Sequence, residues 1–123
     1  MNRAKARELV ALLGDVPFAL RLLADYSGAV APDENETTYR GNALLKAHAA
    51  ARLTGEWSLG DDSGLEVDAL GDAPGLYSAR YGGPGLDDAG RRAFLLDALR
   101  DVGDDRRTAR FRCVIAIVDP DGR

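Results

Sequence analysis

Three stretches of the chain space their apolar residues as amphipathic helices do, at residues 2–13, 38–53 and 87–101. In each stretch apolar side chains recur every three or four positions, which places them on one face of a helix. Glycines just past the first two stretches, Gly14 and Gly55, indicate where those helices end. The pattern therefore predicts three helices, and the one over 38–53 is the clearest.

Shorter apolar runs predict strands at residues 16–23, 57–60, 65–70 and 108–118. The run at 65–70 alternates apolar and acidic side chains, as a half-buried strand does, whereas the last part of 108–118 is apolar throughout. Between two of these runs, residues 61–64 read Asp-Asp-Ser-Gly and predict a turn at a strand end. Their polar side chains are therefore expected together at one end of a strand.

Two long polar segments join these elements. Residues 25–37 form a loop rich in turn formers, and residues 71–86 hold five glycines and two prolines and are expected to lie over a site. Both ends of the chain are abrupt, because a helix begins at residue 2 and a hairpin-turn sequence at 119–122 is followed by one residue. We therefore expect a truncated fold in which strand 108–118 leaves one edge and part of its apolar side uncovered.

Composition narrows the class of protein. The chain has 123 residues, 46% of them hydrophobic and 29% charged, which suits a single globular domain over residues 1–123. No apolar run approaches the roughly 20 residues of a membrane-spanning helix, and the N-terminus lacks a signal-peptide pattern. The lone cysteine, Cys113, cannot form an internal disulfide, so we expect a cytoplasmic protein without a cysteine-based metal site.

The charge balance argues against nucleic acid as a partner. With 20 acidic and 16 basic residues, the net charge is −4, and the basic surface of DNA- and RNA-binding domains is lacking. We expect neither nucleic acid nor a membrane to be bound.

Two adjacent carboxylates, Asp61 and Asp62, form the first candidate site. They repel each other and resist burial, and a divalent cation would relieve both costs. Ligation by oxygen atoms alone favours Mg²⁺ over zinc. Ser63 could donate to a phosphate oxygen, and Gly64 would let the backbone come close. A turn with solvated aspartates remains the simpler interpretation of these residues taken alone.

The loop and helix before this motif carry further candidates. Glu34 lies in an acidic loop, and the spacing of Tyr39, Asn42 and Lys46 places them on one helix face. A cation and an amide on that face could reach a metal–phosphate complex. A solvated acidic loop followed by an ordinary helix is the competing interpretation.

Asn2 and Lys5 open the first helix. A helix N-terminus offers free N–H groups and partial positive charge, which suit phosphate. A frayed terminus with a surface lysine is equally compatible with these residues.

One rival motif concerns a different class of enzyme. An apolar strand followed by Asp62-Ser63-Gly64 resembles the active-site turn of aspartic proteases, whose small dimeric members have about this length. Those proteins are nearly all β, so the three predicted helices argue against this interpretation.

Taken together, the motifs resemble those of one family. In chain order they are Asn2-x-x-Lys5, an acidic loop with Glu34, Thr38-Tyr39-x-x-Asn42-Ala43-x-x-Lys46-Ala47, Asp61-Asp62-Ser63-Gly64-Leu65-x-Val67-x-Ala69-Leu70-Gly71, and Pro74-Gly75-x-Tyr77-Ser78-Ala79-Arg80-Tyr81. This set resembles the inosine triphosphate pyrophosphatase family, and the resemblance covers the whole chain.

The resemblance implies an α/β fold in which helices flank an elongated mixed β-sheet. The chain would hold an incomplete part of that fold, its metal- and phosphate-binding half. The family hydrolyses inosine, deoxyinosine and xanthosine triphosphates to the monophosphate and pyrophosphate with Mg²⁺, and it forms homodimers. Attack at the α-phosphorus would release pyrophosphate, whereas attack at the terminal phosphorus would release phosphate, and the sequence leaves both open.

The resemblance also implies a role for individual residues. Asp62 would be the general base, and Lys46 would neutralise phosphate charge during catalysis. Glu34, Asp61 and Asp62 would hold or orient the metal. The residues implied to contact the substrate are Asn2, Lys5, Asn42, Ser63 and Arg80.

The chain departs from the family pattern in three places. Only Met1 stands where the family has a strand and a Thr-rich turn, and Gly41 replaces the usual glutamate before Asn42. The family also continues beyond residue 123 with the part that recognises the purine. A second hypothesis is therefore a non-catalytic remnant that binds Mg²⁺–nucleotide weakly or serves as an interaction module.

Overall fold

Three helices and two strands make up the regular structure of residues 3–123, the part of the chain that the computed structural model describes. The helices are α1 (Arg3–Leu12), α2 (Tyr39–Thr54) and α3 (Asp88–Ala98), and the strands are β1 (Ser58–Val67) and β2 (Ala109–Val118). Short 3-10 turns lie at Leu23–Asp25, Asp68–Leu70, Gly75–Arg80 and Asp104–Arg106. The mixed α/β class is confirmed, and so are the three helices and the strand at 108–118.

The two strands pair antiparallel, with Ser58 opposite Val118 at one end and Val67 opposite Ala109 at the other. The turn predicted at 61–64 is wrong, because this segment lies in the middle of β1. Turn-forming residues are extended here because every one of them faces a residue of β2 across the ladder. The short runs predicted at 57–60 and 65–70 are therefore parts of one longer strand.

The strand predicted at 16–23 is also wrong. Residues 16–22 carry no regular structure, and the sheet of the described residues contains only β1 and β2. Phe18 and Leu20 are 73% and 42% exposed. An apolar run forms a strand only when a neighbour supplies hydrogen bonds, and none of the described residues does so for this segment.

Helix α2 packs on one side of the sheet at very close range. Thr38 caps it by accepting a hydrogen bond from the Gly41 amide over 2.9 Å, and Gly55 ends it with a left-handed φ of 68°. A Cβ on Gly60 would collide with the backbone of Ala43 and Ala47, so only glycine fits at that point of β1. The close approach fixes how far α2 stands from the strand.

Small and β-branched side chains fill the layer between α2 and the sheet. The buried cluster consists of Ala43, Ala47, Ala51, Ala116 and Val118. Burying one such valine contributes about 1.5–3 kcal/mol, whereas each alanine contributes less. The layer is therefore thin, and it holds backbone against backbone rather than large side chains.

On the opposite side of the sheet, the side chains of β2 are apolar and open. Phe111, Ile115 and Ile117 of β2 are 83%, 50% and 61% exposed. Because side chains alternate along a strand, these three share one face, away from α2. The expectation that the apolar residues of this strand are not all covered is confirmed for the described residues.

The loop over 71–86 lies against β1 near its C-terminal end. Ser78 Oγ accepts a hydrogen bond from the Leu65 amide over 2.9 Å and donates to the Gly75 carbonyl over 2.7 Å. A Cβ on Gly64 would collide with that same carbonyl, so this glycine also serves a close approach. Within residues 3–123, no helix combines the length and apolar character needed to cross a bilayer.

Candidate active site

Glu34, Lys46 and Asp62 come together where α2 faces β1. The Lys46 ammonium lies 2.8 Å from Glu34 Oε1 and 3.8 Å from Asp62 Oδ1. Asp62 is 5% exposed, whereas the side chains of Lys46 and Glu34 remain 24% and 36% exposed. One cation thus lies between a buried and a half-buried carboxylate, in a position that solvent still reaches.

Asn42 holds this arrangement from within. Its Nδ2 donates to Asp62 Oδ2 over 3.1 Å, and its Oδ1 accepts from the Glu36 amide over 3.1 Å. Asn42 is 2% exposed, so its amide is committed to the strand on one side and to the acidic loop on the other. The second bond fixes the loop two residues after Glu34, and the first leaves Asp62 Oδ1 facing Lys46.

The shared helix face expected for Tyr39, Asn42 and Lys46 is observed. All three side chains reach residues of β1, since Tyr39 bonds to Glu66 and the other two meet Asp62. His48 lies elsewhere on α2, in an open groove with Leu44, Leu45 and Arg52. Helix α2 therefore has two distinct faces: a polar face that contacts β1, and an outer face that lines the groove.

Asp61 points away from this cluster although it neighbours Asp62 in the chain. Successive side chains of a strand alternate, and the burial of β1 follows that alternation. Asp61 Oδ2 is buried and forms an ion pair with Lys5 Nζ of α1. Ser63 shares the Asp61 side of the strand, opposite Cys113 in the ladder. The two sides of β1 therefore each carry a lysine–carboxylate pair.

Two further residues are predicted to contact substrate, and the structure describes one of them. Asn2 lies outside the described residues. Arg80 ends the Gly75–Arg80 turn, and its guanidinium stacks 5.1 Å from the ring centre of Tyr77. Arg80 is exposed and forms no ion pair within the described part of the chain. Its cationic group is free to meet an anionic ligand, but the structure does not bring it to Lys46 or Asp62.

A network around Glu66 was not predicted from the sequence. Glu66 Oε1 accepts from Arg112 Nε over 2.7 Å and from Arg110 Nε over 3.1 Å, and Oε2 accepts from the Tyr39 hydroxyl over 3.1 Å. Arg110 also pairs with Asp68 at 2.8 Å. The network ties the first residue of α2 to both strands, so it fixes the end of the helix that leads into Asn42 and Lys46.

These contacts shift the protonation equilibria of their members. Burial, with the Glu66 hydrogen bond as the next cause, raises the pKa of Tyr39 above its usual value. The Arg112 hydrogen bond holds the pKa of Glu66 below its ordinary value, and the Thr108 hydrogen bond does the same to the pKa of Asp68. One feature of the sequence could have indicated the position of Glu66. Side chains alternate along a strand, so Glu66 lies on the same face as Asp62, four positions earlier.

The carboxylates fit a divalent cation in a limited way. Among residues 3–123, no three His, Cys, Asp or Glu side chains converge as a complete metal cage. Mg²⁺ is usually held by one or two carboxylates, with water and substrate phosphate completing its shell. Glu34 and Asp62 already share one cation, the Lys46 ammonium, so this pair of oxygen donors suits a positive ion at the same point.

Comparison with known proteins gives a consistent result. A model of the Ham1 family matches residues 1–123. The dITP/XTP pyrophosphatase of Desulforamulus reducens is 49% identical over 99% of this chain and 61% of its own length, and that of Geobacter sulfurreducens is 46% identical over the same shares. The chain therefore spans about three fifths of the length of these curated relatives.

Solved structures agree with the sequence matches. A HAM1 protein from Coxiella burnetii superposes with a TM-score of 0.83 at 39% identity, covering 97% of this chain and 60% of that one. A nucleoside-triphosphatase, or dITP/XTP pyrophosphatase, from Mycobacterium abscessus gives a TM-score of 0.75 at 39% identity, covering 99% and 63%. The fold of the described residues is thus shared with part of each of these proteins.

Proposed function

The chain belongs to the Ham1 family, and we propose on that basis that it hydrolyses non-standard purine nucleoside triphosphates, namely inosine, deoxyinosine and xanthosine triphosphates, to the monophosphate and pyrophosphate. The observation that carries this proposal is the Lys46 ammonium between Glu34 and Asp62, because metal and triphosphate chemistry needs carboxylates and a cation in reach of each other. The names of the two bacterial relatives support the substrate class.

In this proposal Asp62 is the general base. Its Oδ2 is held by Asn42, so the two lone pairs of Oδ1 would serve the metal and the attacking water, whose proton Oδ1 would accept. Burial of Asp62 keeps the carboxylate in one orientation. For Asn42, which the resemblance implies to contact the substrate, the bond to Asp62 supports a positioning role. Lys46 offsets phosphate charge that grows as the reaction proceeds.

We assign the cofactor role to Mg²⁺, with Glu34, Asp62 and Asp61 as the carboxylates that hold or orient it. When bound, Mg²⁺ would supply charge neutralisation for the triphosphate and polarise the reacting oxygen atoms. Glu34 and Asp62 are the pair that the Lys46 contacts support as ligands, whereas Asp61 faces the other side of β1 and would act through its ion pair with Lys5.

The remaining assignments concern the substrate itself. Lys5, in the first turn of α1, and Asn2, which lies outside the described residues, would hold phosphate oxygens, because a helix N-terminus favours anions. Ser63 would donate to the substrate from the Asp61 side of β1. Arg80 would meet it from the loop over 71–86, where its guanidinium is exposed.

Two alternatives differ in class. A remnant that binds Mg²⁺–nucleotide without turnover would keep the lysine–carboxylate pairs and lack product release. The dimeric aspartic protease is inconsistent with the structure, since the described residues form three α-helices, one of them packed on β1, and the Asp62 motif is not a turn.

We also propose a cytoplasmic homodimer that binds neither nucleic acid nor membrane. The open apolar side of β2, with Phe111, Ile115 and Ile117 exposed, supports burial against a second copy. The net charge of −4 disfavours a nucleic acid partner.

Product analysis tests the proposed reaction. The protein is incubated with inosine triphosphate and Mg²⁺ in water enriched in ¹⁸O, and the products are identified by ³¹P NMR and mass spectrometry. We expect pyrophosphate and ¹⁸O-labelled monophosphate, with no product after chelation of Mg²⁺. Release of phosphate and a nucleoside diphosphate would assign attack to the terminal phosphorus, and no release at all would favour the remnant.

A further inference from the structure

Lys46 occupies the place between the two carboxylates of the α2–β1 cluster. Its Nζ lies 2.8 Å from Glu34 Oε1 and 3.8 Å from Asp62 Oδ1. The other oxygen of Asp62 is bonded to Asn42, so Oδ1 is the one directed at the ammonium. A carboxylate this deeply buried needs a positive partner, and Lys46 is the cation that reaches it.

A divalent cation held by Glu34 and Asp62 would need the same oxygen atoms. An ammonium donates protons and accepts none, so it cannot itself serve as a metal ligand. Two positive ions within contact distance of the same buried carboxylate also repel each other strongly. The lysine and a metal therefore exclude each other from this position.

The Lys46 side chain can adopt a second position, away from the two carboxylates. Its side chain is 24% exposed and carries four methylene groups, so its ammonium can swing toward solvent while Asn42 keeps Asp62 in place. Once separated from Glu34, the ammonium is available to an anion that arrives with the metal. The geometry points to an exchange of partners rather than to a fixed phosphate-binding lysine.

We propose that Lys46 is an internal counter-ion that occupies the divalent-cation position in the ligand-free protein and moves to the phosphate when the cation binds. This inference rests on the proposed metal and phosphate roles of the cluster. It makes cation and polyphosphate binding cooperative, because each ligand removes a partner that competes with the other. By linkage, the coupling acts equally in both directions.

Removing the lysine charge should change the affinities for Mg²⁺ alone and for Mg²⁺–pyrophosphate in opposite directions. Lys46→Met keeps an unbranched apolar chain of similar length and leaves the two carboxylates to the metal. Mg²⁺ alone should then bind about 5-fold or more tighter than to wild type, a coupling in the usual range for linked sites. The Mg²⁺–pyrophosphate complex should bind about 5-fold or more weaker, because its lysine partner is gone.

Isothermal titration calorimetry with MgCl₂ alone and with preformed Mg²⁺–pyrophosphate measures both affinities without turnover. Arg52→Met is the matched control, since it removes a charge from the same helix but in the outer groove, and it should change neither affinity appreciably. Lys46→Arg keeps the charge and should not tighten Mg²⁺ binding. If Lys46→Met is too unstable for titration, its melting temperature should rise more with MgCl₂ than that of wild type.

Three results would overturn the inference: Lys46→Met binding Mg²⁺ no tighter than wild type, Arg52→Met reproducing the gain, or Mg²⁺ and pyrophosphate affinities both falling in Lys46→Met. These binding measurements test the exchange of Lys46 independently of the proposed hydrolysis. A gain in Mg²⁺ affinity in Lys46→Met, together with no pyrophosphate release by wild type, would uphold the exchange and reject the catalytic proposal.

Discussion

Gly60→Ala should destabilise the fold by forcing α2 away from β1. The new Cβ would collide with the Ala43 carbonyl and come within 2.6 Å of the Ala47 amide nitrogen. Both atoms belong to the helix backbone, so neither can rotate aside as a side chain could. Relief requires the helix to withdraw by at least about 0.8 Å, the difference between the 2.6 Å approach to Ala47 and an ordinary contact near 3.4 Å, and by more at the Ala43 carbonyl, which is closer still.

That movement has two costs. Overpacking that shifts backbone destabilises by about 1–3 kcal/mol. Asn42 lies on the same helix, and its 3.1 Å bond to Asp62 would lengthen beyond hydrogen-bond range, at a further cost of about 1 kcal/mol. We therefore expect the free energy of unfolding to fall by about 2–4 kcal/mol.

Urea denaturation followed by circular dichroism measures this change. With an m value of about 2 kcal/mol/M, the middle of the usual range, the midpoint should fall by roughly 1–2 M while m stays constant. Gly14→Ala is the matched control, because its Cβ would stand an ordinary 3.4 Å from the Ala11 carbonyl and should alter stability by less than about 1 kcal/mol. A midpoint for Gly60→Ala within error of wild type would refute the close-packing argument.

Three further predictions follow from other parts of the structure. Glu34→Gln should raise the Mg²⁺ concentration needed for half-maximal turnover, and an unchanged Mg²⁺ dependence would remove Glu34 from the cation site. Glu66→Gln should lower the free energy of unfolding above about pH 4.5. Because the pKa of Glu66 is depressed in the folded protein, the difference from wild type should shrink as the pH falls through that pKa, and urea midpoints measured at several pH values will show this. A difference that persists at low pH would contradict a charge-based role. Ile117→Thr should weaken concentration-dependent self-association measured by sedimentation, since Ile117 is 61% exposed on the open side of β2, and a wild-type protein that stays monomeric would reject that interface.

The helices and the family were within reach of sequence reasoning. The periodicity of 38–53 predicted α2 nearly to its ends, because a capping threonine and a C-terminal glycine surround a regular apolar pattern. The motif order predicted the family, which the match over residues 1–123 confirms. The meeting of Lys46 and Asp62 in one place is likewise observed, since helical spacing fixed which face of α2 carried the lysine.

The failures concern contacts between distant segments. Residues 61–64 have turn chemistry, yet pairing with β2 holds them extended, and the local sequence does not encode that partner. For the same reason the adjacency of Asp61 and Asp62 suggested a shared site, whereas in a strand it separates them to opposite faces. The run at 16–23 is apolar but has no strand beside it among the described residues.

The Glu66 network could not be predicted from the sequence for a different reason. It joins residues from α2, β1 and β2 that lie far apart in sequence, and neither arginine forms a recognisable motif. The network depends on the register of the two strands, which places Arg110 opposite Glu66. Long-range ion pairs of this kind follow from topology, which a single sequence specifies least directly.

The most direct test of the central claim is the pair Asp62→Asn and Asp101→Asn, assayed for pyrophosphate release from inosine triphosphate and for nucleotide affinity. Asp101 is an exposed carboxylate whose side chain is 94% accessible, so its substitution controls for the loss of one charge. We predict that Asp62→Asn lowers the rate by about 10²–10⁴-fold with little change in affinity, because the amide keeps an oxygen but cannot accept the proton. Asp101→Asn should behave as wild type. Turnover by Asp62→Asn at the wild-type rate, or equal losses in both variants, would contradict the assignment of Asp62 as the general base.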